Sequence, residues 1–228
     1  MIIFKQFPAM KTIAKEAEQY IKTLIRSGEN QQLDFKFEIS DAKKIARTFS
    51  AFANTQGGKL LIGVKDNGKI SGIRSDEEAY MAESAAHLFC KPAVPFQLKR
   101  WVVEGRCILE VEIPASTQRP HYAKNDAGQW VAYVRVKDQN IQANRIQEDV
   151  WKGEGKKRGV WMSYGREEKI LMDYLSENET ITLSRFGKIA RTSKLQAEKI
   201  LINLILMNVI AIEQTERTTY FRMRQINY

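Results

Sequence analysis

Apolar residues recur at three- and four-residue spacing through Met10, Ile13, Ala14, Ala17, Tyr20, Ile21, Leu24 and Ile25, and Ser27-Gly28 ends the run, which predicts an amphipathic helix over 10–26. The period then falls to two. Leu33, Phe35 and Phe37 alternate with Asp34, Lys36 and Glu38, the pattern of a strand with one apolar face and one wet, charged face. Ser40 is placed to cap a second helix reaching Ala53, with Ala42, Ile45, Ala46 and Phe49 inward and Gly57-Gly58 beyond its end. The apolar run 59–64 meets Asn67-Gly68, a two-residue hairpin signal, and returns over 69–73. Ser75 with Glu78 makes a capping box for a helix to about Phe89, and Pro92 and Pro95 mark its exit. Strands over 96–103 and 106–113 meet at Glu104-Gly105, the second turning Cys107, Leu109, Val111 and Ile113 inward, and another strand is expected over 129–136.

Residues 1–151 therefore read as one α+β domain with a mixed sheet. The segment KGEGKKRG (152–159) is basic and glycine-rich, so 152–164 is expected to be a linker. Beyond it lie helical patterns over 166–176, 183–190 and 194–207. Ser193 and Gln196 open the last of these, and alternating segments over 209–213 and 219–224 follow a polar turn. Three helices and then a hairpin is the order of a winged helix-turn-helix, expected over 165–228.

Charge changes the picture from fold to partner. The 228 residues carry 36 Lys and Arg against 27 Asp and Glu, a net charge of +9, and an excess of that size points to polyanions. The segment 185–228 holds 8 basic and 3 acidic residues, so the excess concentrates where the winged helix is expected. No apolar run could span a bilayer and no signal-peptide pattern opens the chain, so a cytoplasmic protein without membrane association is expected. Cys90 and Cys107 lack metal-site spacing and are read as buried thiols, and His87 and His121 as structural residues. Gly63 to Lys69 satisfies GxxxxGK, but Ile70 stands where a phosphate loop needs a hydroxyl for Mg²⁺, and a hairpin supplies no helix N-terminus to face a phosphate. ATP hydrolysis is not expected.

The segments GENQQLDFK (28–36), AFANTQGGKLLIGVKDNGKISGI (51–73) and AYVRVKDQNIQA (132–143) resemble the Schlafen AlbA-type domain over roughly 15–145. The resemblance implies an AlbA-type fold, nucleic-acid binding and, with a following winged helix, a DNA-binding transcriptional regulator, with RNA as the other nucleic acid. AlbA-like pairing implies a homodimer, which also suits a winged helix reading paired half-sites.

Relatives that cleave RNA with a divalent metal imply a second activity. Glu29, Asp34 and Asp66 fall at the positions of their acidic trio, Asp34 one methylene shorter than the Glu of the pattern. Such a trio would hold Mg²⁺ or Mn²⁺, with Lys36 offsetting charge on the phosphodiester. For the second domain, the helix from Lys194 is expected to enter a major groove, presenting Arg191, Ser193, Lys194, Gln196, Lys199 and Asn203, while Arg217, Arg222 and Arg224 of the hairpin meet phosphates. A protein-interaction module is the third reading.

Overall fold

The computed structural model describes residues 8–155 and 164–225, with side chains from residue 15 onward in the first helix. Two compact units divide it: one comprises the chain to Thr117 and His121–Gln142, the other Gln118–Pro120 and the chain from Ala143.

In the first unit the order is α1 (Pro8–Ser27), β1 (Leu33–Lys36), α2 (Ala42–Asn54), β2 (Gly58–Ile62), α3 (Glu77–His87), β3 (Cys90–Lys91), β4 (Gln97–Val103), β5 (Arg106–Ile113), β6 (Tyr122–Lys124), β7 (Trp130–Val136) and β8 (Gln139–Gln142). These strands form two sheets of four, ordered β1-β2-β5-β4 and β3-β6-β7-β8. Only β1 and β2 run parallel, through the α2 crossover, so the first sheet is mixed. One core gathers α2, α3, Leu60, Ile62, Leu109, Val111 and Ile113 with Ala123 and Tyr133 of the second sheet. The other lies on the opposite face of the first sheet, where Ile21 of α1 meets Leu33, Phe35, Leu61 and Ile108.

Helix α1 covers a sheet face that alternation alone leaves wet. As a result Glu110, between Leu109 and Val111 in β5, is fully buried, while Asp34 in β1 is buried on the opposite face, against Arg135 of the second sheet. The expected charged face of β1 is thus a buried one. Helix α2 is capped by Asp41, whose side chain accepts from the Lys43 N–H at 2.8 Å, one residue after the Ser40 expected from the sequence. The Asn67-Gly68 turn is a three-residue loop closed by Lys65 N to Lys69 O at 3.0 Å, with Gly68 left-handed at φ 78°. Its returning arm pairs by a single bridge, Val64 to Ile70, rather than as a strand.

The second unit contains α4 (Arg145–Glu154), α5 (Arg166–Glu177), α6 (Leu183–Ala190), α7 (Lys194–Leu206), β9 (Ile210–Gln214) and β10 (Thr219–Met223), the last two forming an antiparallel pair. Ile181 adds a bridge to Phe221, so a third short segment borders the hairpin. Helix α4 is an addition to the expected elements: it is capped by Asn144 and places Ile146 and Val150 in the core formed with α5, α6 and α7, Trp151 also being buried. The division between units falls at 142/143, and residues 152–154 of the expected linker belong to α4, while 156–163 lie outside the described residues. No helix among the described residues is long and apolar enough to cross a membrane.

Candidate functional site

The end of α2 explains the FANTQGG segment. Asn54 is buried, and its amide donates to the His121 carbonyl at 2.8 Å and the Tyr133 carbonyl at 3.0 Å while its oxygen accepts from the His121 N–H at 2.8 Å. Ser50, one turn earlier, donates to the same His121 carbonyl at 2.8 Å and accepts from the Tyr133 N–H at 3.1 Å. Thr55 accepts from the Arg135 N–H at 3.0 Å. Polar side chains at the helix end therefore clamp the chain entering β6 and the middle of β7. Gly57, left-handed at φ 72°, lies where a Cβ would stand 2.7 Å from the Ile113 carbonyl, and at Gly58 it would meet the Phe52 ring at 2.6 Å. These glycines serve close packing, with no helix N-terminus beside them to hold a phosphate.

His121 completes the clamp. Its ring lies 3.0 Å from the Pro92 carbonyl through Nδ1, which must donate there, and 2.7 Å from the Ser116 hydroxyl through Nε2. Burial lowers its pKa, so the neutral ring is the stable form. Cys90 is also buried, its thiol donating to the Ala46 carbonyl at 3.4 Å, and burial pushes its pKa up to about 12; Cys107 is half-buried.

At the open edge of β1 the acidic residues meet cations. Arg135 of β7 is buried and places Nη2 3.2 Å from Asp34 Oδ1 and 3.3 Å from the Leu33 carbonyl, Nε 3.3 Å from the Asn30 carbonyl, and Nη1 3.0 Å from Asn140 Oδ1. Its guanidinium also lies over the Phe52 ring at 5.1 Å. Lys36 brings Nζ to 3.1 Å from Asp34 Oδ2 and 4.0 Å from Glu29 Oε1. Glu29 accepts from the Phe35 N–H at 2.8 Å. Burial, then the hydrogen bond and charge of Asp34, raise the Glu29 pKa above its ordinary value, against the pull of Phe35 N–H and Lys36.

Glu29, Asp34 and Lys36 are thus brought together as expected, but Asp66 is not. It stands exposed in the 65–69 turn, and among the described residues no three of His, Cys, Asp and Glu are arranged to hold a metal ion. Both Asp34 oxygens face cations, so this donor set does not fit a divalent ion as the acidic trio would require. Arg135 is absent from the residues expected at the site, although a charged residue between Val134 and Val136 in an otherwise apolar strand signals a buried partner.

A second buried carboxylate has no readable signal in the sequence. Glu110 accepts from Tyr20 Oη at 2.7 Å, Lys59 Nζ at 2.6 Å and Trp101 Nε1 at 2.7 Å, partners from three different elements. Burial opposes charge on Lys59, but its bonds to Glu110 and Tyr20 outweigh that and raise its pKa.

The basic segment of the second unit is displayed unevenly. Arg191 ends α6 in the left-handed region at φ 51°, and Ser193 caps α7 by accepting from the Gln196 N–H at 3.2 Å. Arg191, Ser193, Lys194, Leu195, Gln196 and Lys199 are exposed, whereas Asn203 is half-buried. The C-terminal half of α7 is covered by α4, where a Cβ on Gly153 would stand 2.7 Å from Leu206. Lys194 reaches Glu198 only at 3.9 Å. Of the hairpin arginines, Arg217 is exposed at the turn, Arg222 pairs with Glu213 at 3.3 Å, and Arg224 bonds the Asn208 side chain. Arg191, Lys199 and Arg217 make no ion pair among the described residues.

Residues 29–144 match the family model described as Schlafen, AlbA_2. Among solved structures, the DIP2311 protein from Corynebacterium diphtheriae is similar at 18% identity and a TM-score of 0.44, over 67% of this chain and 36% of that one. The N-terminal domain of a RecG-related protein from Nitrosomonas europaea is similar at 23% identity and a TM-score of 0.40, over 57% of this chain and 92% of that one. Likenesses this distant bear on neither activity nor partners. No curated protein matches the chain.

Proposed function

The chain belongs to the Schlafen AlbA_2 family, and from that premise we propose that it is a nucleic-acid-binding protein whose second unit is a DNA-binding winged helix, the arrangement of a transcriptional regulator. The observation that carries this reading is the N-terminal end of α7, where Arg191, Ser193, Lys194, Gln196 and Lys199 are exposed together at the start of one helix. The N-terminal residues of a recognition helix are those that meet base edges in a major groove. Gln196 offers a bidentate amide, Lys194 and Lys199 offer ammonium groups, and exposed Leu195 offers apolar contact to a thymine methyl. Arg217 at the hairpin turn is placed for a flanking phosphate, while Arg222 and Arg224 are already held by Glu213 and Asn208 and contribute less. A two-fold dimer, presenting two α7 helices to paired half-sites, completes the reading.

Duplex DNA binding measured across a salt series tests it. Affinity should fall steeply with salt, and Lys199→Ala and Arg217→Ala should each lower the slope by about 1 if the side chain meets a phosphate. A salt-independent profile, or unchanged binding in both variants and in Arg191→Ala, would overturn the proposal.

A further inference from the structure

In the first unit, two aromatic–cation groups neighbour a groove with basic side chains in its walls. A groove of about 470 Å³ is lined by Lys36, Lys44 and Arg47, with Glu38, Asp41 and Asn140 among its other walls. At one end Phe37 follows Lys36 in the chain and leaves 36% of its surface exposed. Lys65 Nζ lies 5.0 Å and the Arg74 guanidinium 5.4 Å from its ring centroid, and Arg74 reaches back to Glu38 of the groove at 3.1 Å. At the other end Arg47 donates to the Lys124 carbonyl at 3.0 Å, and Lys124 Nζ lies 5.3 Å from the centre of Trp130, which is 41% exposed. Lys124 and Trp130 are cross-strand partners, so the pair is fixed by sheet register.

We propose that this surface binds single-stranded nucleic acid, with Phe37 and Trp130 as stacking platforms at either end of the groove and Lys36, Lys44 and Arg47 along the phosphate path. This rests on the nucleic-acid reading above but assigns a different ligand form to a different unit. An exposed aromatic ring gains nothing from a duplex, whose bases are already stacked, whereas an unpaired base offers a free π-face. The cation beside each ring supplies the second half of such a subsite, because its head can turn to the phosphate of the nucleotide whose base the ring takes. Three cations line the groove, Lys36, Lys44 and Arg47, and three flank the rings, Lys65, Arg74 and Lys124. Arg47 is held by Asp126, Lys36 by Asp34 and Arg74 by Glu38, whereas Lys44, Lys65 and Lys124 make no ion pair among the described residues.

The test is fluorescence anisotropy of the full chain with labelled oligo-dT, oligo-U and a DNA duplex, using Phe37→Ala, Trp130→Ala, the conservative Trp130→Phe and the groove variant Lys44→Glu. All three positions are solvent-exposed, and thermal unfolding verifies that each variant folds. Each alanine variant should weaken single-strand binding roughly 5- to 150-fold, the range of one lost stacked base, with Trp130→Phe largely rescued and duplex binding unchanged. Lys44→Glu should weaken single-strand binding as well, by reversing a charge on the phosphate path. Preference between oligo-dT and oligo-U distinguishes DNA from RNA as the source of the strand. Duplex binding with no single-strand binding, or single-strand binding indifferent to Phe37→Ala and Trp130→Ala, overturns this inference and leaves the reading of α7 standing. Failure to bind any of the three probes overturns both.

Discussion

Arg135 on β7 holds Asp34 on β1 at 3.2 Å, both side chains buried, and so ties the open edge of one sheet to a central strand of the other. The same guanidinium also meets the Asn30 and Leu33 carbonyls, each of which already accepts from the other residue's N–H just before and at the start of β1. Removing Arg135 leaves the buried Asp34 with only the half-buried Lys36, at 3.1 Å, to offset its charge. Arg135→Met is therefore expected to cost about 3–5 kcal/mol in urea unfolding, and the double variant Arg135→Met with Asp34→Leu to recover much of it. A loss in the single variant below about 1 kcal/mol would mean that water compensates the carboxylate.

Asn54 carries three hydrogen bonds to backbone groups of residues 121 and 133. Asn54→Ala removes the side-chain partner of the His121 N–H and the Tyr133 carbonyl and leaves the His121 carbonyl with Ser50 alone, at about 1–3 kcal/mol for each group left unpaired where water cannot reach. Asn54→Asp keeps an acceptor for the His121 N–H but sets a carboxylate against two carbonyls, so it should destabilise at least as much. Equal stability of Asn54→Ala and the parent chain in chemical denaturation would contradict the clamp.

Two left-handed glycines separate conformational strain from packing. At Gly105, φ 71°, nothing lies within 4 Å of an added methyl, so Gly105→Ala should cost only the left-handed backbone strain of about 1–2 kcal/mol. At Gly57, φ 72°, the methyl would also strike the Ile113 carbonyl and the Ala115 amide nitrogen, at 2.7 and 2.8 Å. Gly57→Ala is expected to be the more damaging by several kcal/mol, read as the difference in unfolding midpoints. Similar midpoints for the two variants would show that the turn before β2 can shift.

The raised pKa of Glu29 fixes a sign for pH dependence. Between its ordinary value of 4.5 and the higher folded value, the native state holds more protons than the unfolded chain, so this residue makes stability fall as pH rises through that window. Glu29→Gln keeps an oxygen for the Phe35 N–H and removes the titration. The stability of the parent chain relative to Glu29→Gln should therefore decline from pH 4.5 upward and level off above the folded pKa. Parallel stability profiles for the two proteins would show that Asp34 and burial do not perturb this carboxyl.

Local periodicity is enough to place most helices and the longer strands of both units, because amphipathic spacing and cap residues act within a few positions of chain. It also carries the order of elements in the second unit and the grouping of Glu29, Asp34 and Lys36, neighbours along a strand or close before it. The helix Arg145–Glu154 is readable from Asn144 and the spacing of Ile146, Val150 and Trp151, but the basic, glycine-rich residues after it suggest a linker instead.

What the amino-acid order determined alone, then, is which segments are helix or strand, where the positive charge gathers and which family pattern the first unit follows. Tertiary structure decided which charges are buried and with whom. Alternation assigns Asp34 and Glu110 to a wet face, yet Arg135 stands 101 residues from Asp34 and Tyr20 stands 90 from Glu110. A partner that distant leaves no periodic trace near the residue it neutralises, and only packing α1 and a second sheet against the first takes those carboxylates out of water.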